Sequence, residues 1–213
     1  MDLLAFYVTD ALIGFLKNGG IFMYPLILCS IAGLTAVGFK MMSLTKSRIV
    51  PDGLAYDIDT FETRQPAGLE NELQRGGSTL ARLGALAVKH CGKPVAEISQ
   101  VVEASAREEV LKMHSGIGVL DVVITIAPLL GLLGTASGLV VIFQGLGATT
   151  DHLIIARGIA EALNTTIFGL AIAVPGVIAH TYFSRRIEML TARMEAVMTG
   201  FISVCARQTQ DAK

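Results

Sequence analysis

Glu161 is a lone carboxylate set into a long apolar run, from about Leu153 to Phe183, and the residues around it are suited to handling protons. Asn164, Thr165 and Thr166 follow within two helical turns, and Thr135 stands in an earlier apolar run. An ionised carboxylate in hydrocarbon costs roughly 3 kcal/mol or more, so it needs a partner, a proton or a water-filled surround. Hydroxyls both donate and accept, which suits a path for protons or hydrated ions. Two plainer readings compete. The threonines can back-bond to a carbonyl one turn earlier. Glu161 can pair with Arg157 near the outer surface, because 153–183 as a helix is about 46 Å long and outruns a bilayer core of about 30 Å.

These side chains must be held by helices that pack closely. In lipid, small residues at helical spacing are what let backbones approach. Gly158, Ala162, Thr165, Gly169, Ala173 and Gly176 recur every three or four residues and form one stripe, with Glu161 on its flank. Gly131, Gly134, Thr135 and Gly138 give the earlier run a similar seam. Such seams also occur as ordinary packing with no passage between them. Pro25, Pro128 and Pro175 put one proline in each apolar run, where each removes a backbone hydrogen bond. Pro128 and Pro175 are hinge candidates, with fixed kinks as the alternative. Asp121 is read as a solvated residue at the inner mouth of its run.

The 213 residues are 52% hydrophobic and 16% charged, with a mean hydropathy of +0.59, which places the chain in a membrane. The expected class is an all-α membrane protein with three transmembrane helices, two of them extended into the cytoplasm, and a helical cytoplasmic domain. The expected segments are an external amphipathic N-terminal segment over 1–19 and a first span over 20–43. A cytoplasmic helical domain over 44–115 and a second span over 116–147 come next. A short periplasmic loop over 148–154, a third span over 155–184 and a cytoplasmic tail over 185–213 complete the chain. Lys40, Lys46, Arg48, Lys112, Arg185 and Arg186 cluster on one side, against Lys17 and Arg157 on the other. That asymmetry puts the N-terminus in the periplasm and the C-terminus in the cytoplasm. Asp2 precedes the first apolar stretch and Asp10 interrupts it, so it is expected to be retained and to lie on the outer surface.

Within the polar segment, Leu80, Leu83, Leu86 and Ala87 fit one helical face, as do Val95, Ile98, Val102 and Ala106. Pro94 suits a helix start. From there the helix either continues into the second span as one rod or breaks at Gly116 and Gly118. The near-balanced charge of this segment argues against nucleic acid. Cys29, Cys91 and Cys205 lie far apart without metal-ligand spacing, so no metal, cofactor or disulfide is expected. No nucleophile elbow or phosphate loop points to an enzyme.

Two segments carry a family resemblance. Ala127-Pro128-Leu129-Leu130-Gly131-Leu132-Leu133-Gly134-Thr135, followed by Gly138, is the first. Gly158-Ile159-Ala160-Glu161-Ala162-Leu163, followed by Thr166, Gly169-Leu170 and Ala173-Val174-Pro175, is the second. Both resemble the signature segments of the ExbB/TolQ/MotA proton-channel family, closest to its ExbB and TolQ branch. The resemblance implies a homo-pentamer in the bacterial inner membrane around a dimer of a single-span ExbD- or TolR-like partner. A TonB- or TolA-like protein would take the output. It also implies that the partner's aspartate gains and loses protons, while Thr135, Thr166 and Glu161 line the path beside it. Thr165 joins this set from its place on the Glu161 face. Asn164 stands where an apolar residue is more usual, and 153–157 lacks a proline-bearing lead-in. The expected function is therefore a proton-channel or stator subunit of a motor driven by the proton-motive force. A stand-alone channel or transporter, or a structural membrane scaffold, are the alternatives.

Overall fold

A computed structural model describes residues 20–61, 68–145 and 152–207. The expected amphipathic segment over 1–19, residues 148–151 of the short loop expected over 148–154 and the last six residues lie outside them, while 152–154 already belong to the last helix. So do the side chains of Arg157 and Glu161, and with them any pairing of the two. Every described element is a helix. In chain order they are α1 (Met23–Ser43), α2 (Lys46–Ile49), α3 (Asp52–Asp59), α4 (Leu69–Arg75), α5 (Thr79–Lys89), α6 (Val95–His114), α7 (Ile117–Gly145) and α8 (His152–Arg207). Stretches within Met23–Ser43, Val95–Gln144 and Gly158–Arg207 are long and apolar enough to cross a membrane, with mean hydropathies of 1.7, 2.2 and 1.8.

Contacts group the residues into two compact units, 1–38 with 116–181, and 39–115 with 182–213. In the first unit, Met23 and Leu26 of α1 pack with Ala127 of α7, bordered by Ile27, Cys29, Leu130, Phe168 and Ile172. Large apolar side chains remain outward on the same helices, among them Leu129, Leu132, Leu133 and Phe143 on α7 and Ile167, Leu170, Val174 and Ile178 on α8. In water this much exposed apolar surface would drive aggregation; in a bilayer it meets lipid or other transmembrane helices. Pro128 and Pro175 both sit inside helices that continue past them.

The second unit has a conventional core. Leu80, Leu83 and Ala87 of α5, and Ile98 and Val102 of α6, are buried with Leu54, Ile58 and Leu73. The Ser78 side chain caps α5 by accepting from the Ala81 amide at 3.1 Å. Pro94 immediately precedes α6, where its missing N–H costs nothing. Val95 is exposed, so the buried face of α6 begins one turn later, at Ile98. Phe183, Ile187, Leu190, Met194, Met198 and Phe201 carry the apolar stripe of α8 into this unit.

A break separates α6 from α7 at Ser115 and Gly116, one of the two outcomes the glycines leave open. Gly116 has φ of 83°, a conformation that glycine adopts without steric cost. Gly118, by contrast, lies within the first turn of α7. Before the break, the buried Lys40 ammonium donates to the Met113 carbonyl at 2.7 Å. The end of α1 is thereby tied to the last turn of α6, where carbonyls lack helical partners and a cation is favoured.

Glu109 of α6 is largely enclosed and pairs with Arg82 of α5 and with Lys112. Burial pushes its carboxyl up, but the Arg82 guanidinium and the Lys112 ammonium outweigh burial and hold it below its ordinary value of 4.5. A depressed folded-state value stabilises the fold above the unfolded one, and that contribution is lost as pH falls through the folded one. Acid titration of the solubilised protein should therefore destabilise native chain more than Glu109→Gln below pH 4.5. Parallel melting curves for the two would contradict this.

Candidate functional site

The site is built where α7 and α8 come into backbone contact. A Cβ placed on Gly131 would lie 2.8 Å from the Thr165 carbonyl oxygen and 2.9 Å from Thr166 Cα. One on Gly169 would lie 2.5 Å from the Ala127 carbonyl oxygen. Real Cβ atoms do not approach so closely, so at these positions the seam needs a residue with no side chain. Along the same seam, Gly134 abuts Thr165, Gly138 faces Ala162, Gly158 faces Ile142 and Gly176 faces Ile124.

This closeness lets side chains of one helix reach the backbone of the other. Thr166 Oγ1 lies 2.9 Å from the Gly131 carbonyl oxygen and 3.5 Å from Thr135 Oγ1. Thr165 Oγ1 lies 3.1 Å from that same carbonyl and 2.8 Å from the carbonyl of Ala162. Thr135 Oγ1 donates to the Leu132 carbonyl at 2.7 Å. Two hydroxyls thus converge on the Gly131 carbonyl and a third, that of Thr135, lies beside Thr166, although each has only one proton to donate.

The three do not share one setting. Thr165 is only 2% exposed, enclosed by Gly131, Gly134 and Ala162. Its hydroxyl is a clamp between helices, and it also makes the back-bond to its own helix that such residues form in apolar surroundings. Thr166 and Thr135 are partly exposed. Glu161 lies on α8 one turn before Thr165, and Asn164 is half-buried beside it. Among the described residues no group of acidic, histidine and cysteine side chains is arranged to hold a metal ion.

A second polar pair joins the same two helices, and one of its members carries no signal in the sequence. His180 Nε2 of α8 lies 2.8 Å from Asp121 Oδ1 of α7. Asp121 reads from sequence as a solvated residue and His180 as an unremarked member of an apolar stretch.

Residues 67–196 match the MotA/TolQ/ExbB proton channel family. The chain belongs to this family. It is 33% identical over 177 residues to the ExbB-like 1 biopolymer transport protein of Synechocystis sp., covering 78% of this chain and 68% of that protein. With biopolymer transport protein exbB1 of Vibrio cholerae it shares 27% identity over 183 residues, 83% of this chain and 80% of that one. The Tol-Pal system protein TolQ of Pseudomonas aeruginosa is 33% identical over 113 residues, 52% of this chain and 49% of that protein. Membership makes this chain a multi-pass inner-membrane protein of the proton-channel class, not an enzyme. Both sides of the α7–α8 seam fall inside the MotA/TolQ/ExbB match.

Proposed function

We propose that this chain is the proton-channel subunit of an inner-membrane motor driven by the proton-motive force. Five copies surround a dimer of a single-span ExbD- or TolR-like partner, whose movement is passed to a TonB- or TolA-like protein for import or envelope work. The N-terminus is periplasmic and the C-terminus cytoplasmic. The observation that carries this reading is the hydroxyl cluster at the α7–α8 seam, where Thr165 and Thr166 reach the Gly131 carbonyl and Thr166 lies 3.5 Å from Thr135, on a helix whose apolar sequence also carries Glu161. Proton passage needs groups that can donate and accept in turn, and an apolar helix keeps such groups only at a cost that function must offset.

In this reading the partly exposed Thr135 and Thr166 hydrogen-bond the partner's titrating carboxylate, and Glu161 adjusts the local charge that favours or opposes its ionisation. Thr165 holds the two helices at the distance that keeps the other hydroxyls together. The test is proton conduction in sealed vesicles containing this chain and its single-span partner, followed with an internal pH dye. Conduction is expected with both proteins and absent with either alone. Full conduction by this chain alone would favour a self-sufficient channel.

A further inference from the structure

The His180–Asp121 pair has properties that the hydroxyl cluster does not account for. Among the described side chains of the first unit, the ionisable groups are Tyr24, Cys29, Asp121 and His180. Tyr24 and Cys29 belong to α1, which meets α7 at Val123 opposite Gly33, so no charged group on α1 within this unit faces the pair. The carboxylate and the imidazole therefore face each other across two apolar helices, with no other described charged side chain of the unit between them.

The pair also shares a face with the hydroxyl cluster. Asp121 precedes Thr135 by fourteen residues, and His180 follows Thr166 by fourteen. Fourteen residues are four turns less about 40°, and a rise of about 21 Å. Each member thus lies almost directly along its helix from a hydroxyl of the cluster, towards the end of α7 that follows α6. Between the two groups the seam is closed by backbone contact at Gly169 and by Gly176 against Ile124. A proton moving from one group to the other must therefore travel beside the seam rather than through it.

From this arrangement we infer that His180, held in place by Asp121, is a proton carrier at the cytoplasmic end of the path; the inference rests on the channel reading above. At 2.8 Å a proton must sit between Nε2 and Oδ1, since two bare lone pairs would repel. With that proton on Nε2, the neutral ring accepts at Nδ1, for which the described residues supply no hydrogen-bond partner. A hydronium ion in the water of the assembled channel gives its excess proton to Nδ1 and is left as neutral water. The resulting imidazolium is balanced by the Asp121 carboxylate, and the same nitrogen then releases its proton to the inner solution. His180 is 28% exposed and Asp121 is 56% exposed at the side chain, which leaves room for that exchange.

The test uses the chain with its single-span partner in vesicles. His180→Ala is expected to lower proton conduction by about tenfold or more, with assembly by native mass unchanged, and added imidazole should restore part of it. His180→Gln keeps a polar contact to Asp121 but carries no proton, so it should show the same loss. Recovery by free imidazole separates a carrier from a mere link between helices, because a lost link is not replaced by a soluble ring. Native-level conduction by His180→Gln overturns the inference while leaving the channel reading intact. A loss in His180→Ala that imidazole cannot restore also overturns it. Absence of conduction in the native assembly overturns both.

Discussion

Gly169→Leu is expected to separate α7 from α8 and to abolish stable assembly. Even a methyl at this position would sit 2.5 Å from the Ala127 carbonyl oxygen and 3.2 Å from its carbonyl carbon. Those atoms belong to helix backbone, so no side chain can rotate away to make room. Overpacking of a well-packed interior costs about 1–3 kcal/mol, and a collision between two backbones lies at or above the top of that range. Total stabilities are only about 5–15 kcal/mol, so such a loss is severe. Gly200 supplies the contrast, because it lies in the same helix with nothing within 4 Å of a Cβ. Gly200→Ala is expected to stabilise by about 0.5–1 kcal/mol through helix propensity alone. Thermal unfolding of the solubilised protein should move in opposite directions for Gly169→Ala and Gly200→Ala. A shift in the same direction would mean that the contact at Gly169 does not hold the helices as described.

The second large effect separates neighbouring threonines. Thr166→Val preserves shape and removes the hydroxyl that reaches both Gly131 and Thr135. Conduction with the partner present is expected to fall about tenfold or more, with no change in assembly, because an isostere without a proton interrupts the relay. Thr165→Val removes an enclosed hydroxyl from a helix contact. It should cost about 1 kcal/mol of stability and leave conduction within about twofold. Equal losses of conduction in both variants would show that the path uses Thr165 directly. If both conducted normally, neither threonine would lie on the path.

Much of the helical framework is legible in the sequence, for reasons that differ by element. The three long apolar stretches declare themselves by length and hydropathy. The small residues from Gly131 to Gly138 and from Gly158 to Gly176 repeat at helical spacing, and the structure brings both sets into contact. What spacing cannot say is which threonine meets Gly131. Thr165 and Thr166 point about 100° apart on an isolated helix, yet both reach one carbonyl because the backbones are so close there. Which of the two glycines would break the rod is equally hidden. Gly116 and Gly118 are the same residue type two positions apart, but only Gly116 takes the left-handed conformation. Lys40 reads from sequence as an orienting charge after the first span. Its burial and its bond to Met113 depend on where α6 ends. His180 gave no signal because a single imidazole in an apolar run has no period, and its partner lies in another helix. Fourteen-residue spacing from Thr135 and Thr166 is the clue that would have linked the pair to the hydroxyls.

Charge on Glu161 is the central requirement of the proton-path account. The most direct measurement is proton conduction by Glu161→Gln co-reconstituted with the single-span partner, with the assembled mass determined on the same sample. Glutamine matches glutamate in size and polarity but cannot ionise, so packing is kept while charge is lost. The account predicts an intact assembly whose conduction is about tenfold or more below native. An intact Glu161→Gln assembly conducting at the native rate would contradict it and leave Glu161 as a residue that serves structure alone.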